Sequence, residues 1–124
     1  MINNQLTIIF SKLRDLNEVP MKIKTRYYIS KIYSYVTDKL QPYFIAEKEL
    51  VKKYGKKGSD GEYEKAENGG IVLNVTDECN REYSELQLIE VDISDAPKIS
   101  LDYLIEAGLE LTESEMEAFN NFIE

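Results

Sequence analysis

The 124-residue chain has no histidine and no tryptophan, and only one cysteine and three prolines. Without histidine there is no imidazole general base, no Ser–His or Cys–His nucleophile pair and no mixed His/Cys metal site. A lone Cys79 excludes an intrachain disulfide and a thiolate zinc cluster, and it suits a reducing compartment. Long apolar runs are also missing. The stretch Leu6-Thr7-Ile8-Ile9-Phe10 falls far short of the roughly 20 apolar residues of a membrane-spanning helix. The start of the chain lacks a basic region leading into an apolar core and a small-residue cleavage site. The expectation is a cytoplasmic protein with no membrane association and no cofactor.

What the chain does contain is charge and an ordinary apolar content. At 43% hydrophobic and 31% charged residues it has the composition of a folded domain, and its length allows one domain of modest size over 1–124. The net charge of −8 hides a division. Residues 1–57 carry 12 Lys/Arg against 5 Asp/Glu, whereas residues 58–124 carry 3 against 18. Three arrangements satisfy such a split: the acidic half packs on the basic half of the same subunit, subunits associate head to tail or about a two-fold axis, or one face meets an oppositely charged partner.

The apolar spacing predicts a mainly helical first half. Leu6, Ile9, Phe10, Leu13 and Leu16 mark a helix over 4–17 capped by Asn3 or Asn4, and Val19-Pro20 ends it. Residues 22–54 read as one long helical region with a stripe through Ile29, Ile32, Tyr33, Val36, Leu40, Tyr43, Phe44, Leu50, Val51 and Tyr54. Pro42 predicts a kink or break near Asp38–Gln41.

The second half, 58–124, reads as mixed hairpin and helix. Gly58-Ser59-Asp60-Gly61 and Asn68-Gly69-Gly70 are turns, with 62–66 and 71–75 as hairpin arms. A helix over 78–89 turns Tyr83, Leu86 and Ile89 or Leu88 inward. Residues 90–94 alternate as a short strand, with 98–100 as a further extended piece. Ser100 caps a short helix over 101–107, and Thr112-Glu113-Ser114-Glu115 is a capping box opening the last helix. No internal repeat is evident. The expected fold class is α+β, with a long kinked helix and a small antiparallel sheet.

No constellation points to catalysis. Asp60, Glu62 and Glu64 around Gly61 lack the order of a calcium loop and its distal glutamate. Gly55-Lys56-Lys57-Gly58 follows a helix, whereas a phosphate loop follows a strand and opens a helix. The richest stretch is Lys22, Lys24, Arg26, Tyr27, Tyr28, Lys31 and Tyr35. Interleaved basic and aromatic residues fit the anchors of a protein interface, the rim of an amphipathic helix, or a nucleic-acid surface. The net charge of −8 weighs against the last.

Four stretches occur in a characteristic order. They are Val19-Pro20-Met21-Lys22-Ile23 after a leucine-rich helix; Glu49-Leu50-Val51-Lys52-Lys53-Tyr54-Gly55 at the end of a long helix; Glu82-Tyr83-Ser84-Glu85-Leu86 leading into Ile89-Glu90-Val91-Asp92-Ile93; and Lys98-Ile99-Ser100-Leu101-Asp102-Tyr103-Leu104 before a final apolar helix. This order resembles a family of small phage and prophage proteins of unknown function from Gram-positive bacteria. The resemblance implies a phage-encoded protein in the host cytoplasm, with no catalytic residues to carry over. The tyrosines over 27–35 are more numerous than the family pattern. The expected function is a non-enzymatic accessory protein that binds a host or phage protein, for example to inhibit a defence factor. A virion-assembly or homo-oligomeric scaffold protein is the alternative, and a nucleic-acid binder the next.

Overall fold

The computed structural model describes residues 1–124 and contains six α-helices: α1 (Asn3–Arg14), α2 (Ile23–Lys39), α3 (Gln41–Tyr54), α4 (Asp77–Gln87), α5 (Leu101–Glu106) and α6 (Glu113–Phe119). A 3₁₀ turn over Asn120–Phe122 follows α6. There is no strand and no sheet, only isolated bridges. The fold is all-α, which corrects the α+β expectation. No helix is long and apolar enough to cross a membrane.

The chain divides into two compact units, residues 1–41 with 90–124, and residues 42–89. In the first unit α1 packs on α2 and α6, and α2 packs on α5. The stripe read from the sequence is its core: Leu6, Ile9, Leu13, Ile29, Ile32 and Val36 are buried, and Phe119 and Phe122 join them from the C-terminal end. Phe10 stacks on Tyr33 with ring centroids 5.4 Å apart. The N-cap of α1 is Ile2, not Asn3 or Asn4. Asn3 is buried within the first turn, and the Gln5 side chain takes the capping role by accepting the Ile2 N–H at 3.1 Å. Thr112 and Glu115 form the expected reciprocal box, with bonds of 3.3 and 2.9 Å.

The strand expected at 90–94 is a single bridge between Ile2 and Glu90. The extended partner is only Met1 and Ile2, because α1 opens at Asn3; Val91 N–H still reaches Met1 O at 2.7 Å, and Asp92 then accepts the Ser94 N–H at 2.9 Å in a turn. The piece at 98–100 likewise reduces to one parallel bridge, Ile99 with Ile123.

Helix α2 ends at Lys39, and Leu40 (φ −87°, ψ −2°) separates it from α3. Pro42 therefore lies in the first turn of a new helix, where a missing N–H costs no hydrogen bond.

In the second unit, residues 54–74 account for the failed hairpin. Three segments centred on Lys56, Glu64 and Val72 are bonded in a ring: Lys56 N–H to Val72 O at 2.8 Å, Val72 N–H to Glu64 O at 2.9 Å, and Glu64 N–H to Lys56 O at 2.7 Å. The antiparallel bridges Gly55–Leu73, Lys57–Tyr63 and Lys65–Ile71 complete a three-lobed cloverleaf. Each segment pairs with one neighbour before its central residue and with the other after it. No two segments run together long enough to form a ladder, so β-type hydrogen bonding exists without strands.

Two of the lobes are the same turn spaced eight residues apart, which corrects the expectation of no internal repeat. In Lys57-Gly58-Ser59-Asp60-Gly61 the Asp60 side chain accepts the Glu62 N–H; in Lys65-Ala66-Glu67-Asn68-Gly69 the Asn68 side chain accepts the Gly70 N–H, both at 3.0 Å. Gly61 and Gly69 each close the turn at positive φ, +82° and +84°.

Candidate functional site

The residues singled out from the sequence lie along α2, in the first unit, and the structure divides them by role. Arg26 faces inward along the chain: its guanidinium donates to Leu16 O at 3.1 Å and Val19 O at 2.6 Å, holding the segment that follows α1. Tyr28 stacks on Tyr103 with centroids 4.4 Å apart. Tyr35 donates its hydroxyl to Asp95 at 2.6 Å, and Lys39 sits 5.6 Å above its ring. Burial and the Asp95 carboxylate push the Tyr35 hydroxyl well above its ordinary value, and the same bond holds Asp95 below the usual carboxylate range.

Lys22, Lys24, Tyr27 and Lys31 remain exposed, and none of the three lysines takes part in an ion pair within the chain. Lys22 and Lys24 border a recess of about 300 Å³ shared with Thr25, Ser100, Asp102, Tyr103 and Glu106. Thr25, fully buried, donates to Glu106 at 2.6 Å. With two carboxylates among two lysines the recess has no charge preference.

A different feature stands out in the second unit. Helices α3 and α4 bound an open groove of about 750 Å³, with Ala46, Leu50, Leu86 and Ile89 as its apolar surface and Glu49, Lys52, Lys53, Glu82 and Glu85 around it. Polar ties join the helices beside the groove. Glu82 accepts from Lys53 at 2.9 Å and from the Tyr54 hydroxyl at 2.5 Å. Tyr83 donates to Glu47 at 2.7 Å. The two donors hold the Glu82 carboxyl below its ordinary value, and burial together with Glu47 pushes the Tyr83 hydroxyl up. Lys53 also lies 3.6 Å from Glu78, and Lys52 3.3 Å from Glu49. Glu85 has no ion-pair partner.

The sequence reading missed this groove because it turned Leu88 or Ile89 into the core. Both are exposed, and Ile89 forms part of the groove. The available signal was an excess of apolar residues at the end of α4, where Leu86, Leu88 and Ile89 exceed what one buried stripe requires. No cluster of three His, Cys, Asp or Glu side chains is placed to hold a metal ion. The chain matches no family model, no curated protein and no solved structure.

Proposed function

We propose that this is a non-enzymatic, cytoplasmic binding protein that takes an amphipathic helical segment of a partner protein into the α3–α4 groove. The observation that carries the reading is the groove's composition: Ala46, Leu50, Leu86 and Ile89 beneath a rim on which Glu85 lacks a counter-charge. A helix laying an apolar stripe into such a groove buries its anchors at i, i+3 and i+4 spacing, and basic residues beside the stripe meet the carboxylates. Helix α4 carries Asp77, Glu78, Glu82 and Glu85 against Arg81 alone, so a cationic segment is favoured over an anionic one. In the phage setting that the order of segments resembles, the partner is a host or phage protein whose basic helix is masked.

A fluorescently labelled Leu/Lys amphipathic helical peptide tests this directly. Binding should move the NMR signals of Leu50, Leu86 and Ile89, and Ile89→Asp should abolish it. A peptide that leaves those signals in place, or binds the Ile89→Asp variant equally well, would overturn the reading.

A further inference from the structure

We propose that a second copy of this chain is one occupant of the groove, docking the exposed edge of its α2 there. The inference rests on reading the groove as a helix-binding surface, and it adds a specific occupant. Ile23 and Tyr27, one turn apart on α2, are 84% and 63% exposed. Helical spacing puts Lys24 and Lys31 beside them. Two apolar side chains one turn apart, flanked by lysines, are the chemistry the groove favours. Both surfaces also hold unused charge: Lys24 and Lys31 on the edge and Glu85 on the rim make no ion pair within their own chain.

Three other cations of the N-terminal region are engaged within the chain. Lys12 pairs with Glu115 at 3.2 Å, Lys39 with Asp95 at 3.9 Å, and Arg26 is spent on backbone carbonyls. Lys24 and Lys31 on the edge of one copy are thus free to meet Glu85 on the rim of the next. Because edge and groove are different surfaces, the contact is head to tail, and each copy carries one of each. A foreign helix that fills the groove would compete with the neighbouring copy.

Light scattering across a concentration series should show the mass rising above the 14.4 kDa of one chain, with association weakening at least about tenfold as salt screens the lysine–glutamate contacts. An edge variant, Ile23→Ser with Tyr27→Ser, and a groove variant, Ile89→Lys, should each remain monomeric. All three positions are more than half exposed, so both variants should fold, and circular dichroism checks that. Mixed in equal amounts, the two variants should form a dimer and go no further, because only one intact edge meets one intact groove. Wild-type protein that stays monomeric, or variants that associate as wild type does, would overturn the inference. Peptide binding in the groove by a strictly monomeric wild type would sink this inference alone and leave the proposed function standing. Groove-dependent self-association without peptide binding would do the reverse.

Discussion

Gly55 shows how one position can be decided by what lies beside it. A methyl group there would sit 2.5 Å from Val51 O and 2.6 Å from the Tyr63 ring. At Gly58 the nearest atom is an Asp60 side-chain oxygen at 3.3 Å, a gap that a shift of a few tenths of an ångström opens. Gly55→Ala should therefore cost about 1–3 kcal/mol through overpacking, and Gly58→Ala about 0.5 kcal/mol or less. Urea denaturation of the two variants measures the difference.

Tyrosine carries the alkaline behaviour. Tyr35 and Tyr83 donate to Asp95 and Glu47, and burial and those carboxylates raise both hydroxyls above the ordinary 10.0. A group whose value is raised by folding stabilises fully below its unfolded value and loses that contribution as pH climbs through the folded one. Stability should be flat up to about pH 10 and then fall, and the absorbance of these two phenolates should appear only as the protein unfolds. Tyr35→Phe combined with Tyr83→Phe should flatten the alkaline limb, which pH-dependent denaturation would reveal.

At the scale of elements, ends were more legible than partners. The capping box at Thr112–Glu115 could be read because it is a local arrangement of two side chains and two N–H groups. Thr112→Ala should cost about 1 kcal/mol, since it removes the acceptor of the Glu115 N–H, and a thermal melt would register the loss. The break between α2 and α3 was legible for the same reason: Pro42 acts on its own backbone and on the residue before it. The strands were not legible. Alternation at 90–94 and turn chemistry at 58–70 describe what a segment can do, whereas a ladder needs a neighbour that stays alongside. The start of α1 at Asn3 limits one pairing to a single bridge, and the partner switching at Lys56, Glu64 and Val72 ends the others. The eight-residue repeat is faint in the sequence because its two copies share only Lys, a small residue, an Asx and Gly.

At the scale of the molecule, the charge split changes meaning. Residues 1–41 with 90–124 contain 8 Lys/Arg and 13 Asp/Glu, and residues 42–89 contain 7 and 10. Both units are mildly acidic, because each joins part of the basic half to part of the acidic half; in the first unit α6 lies on α1 and α5 on α2. Pairing also sets the acid response. Asp92, Asp95 and Glu115 in the first unit and Glu82 in the second are all held below their ordinary values of 3.8 for Asp and 4.5 for Glu, by backbone or side-chain donors. A carboxyl lowered by folding contributes above its unfolded value and loses that contribution as pH falls through the folded one. Acid unfolding should therefore begin below about pH 4.5. Glu115→Gln should make the protein less stable at neutral pH and its acid limb shallower, as circular dichroism against pH would show.

The sequence by itself determined most of the helices, the capping box at Thr112–Glu115 and the buried stripe of α1 and α2, because those follow from spacing along one segment and from bonds within a turn or two. It also determined the absence of imidazole chemistry. Only the tertiary structure decided which carboxylates meet which lysines, which of the basic and aromatic residues of α2 stay exposed, and that α3 and α4 leave a groove open between them. Each of these depends on residues brought together from distant parts of the chain. Arg26 and Lys24 are indistinguishable as cations in the sequence; one is consumed by the carbonyls of Leu16 and Val19, and the other stays in solvent, because only folding sets the distance to a partner.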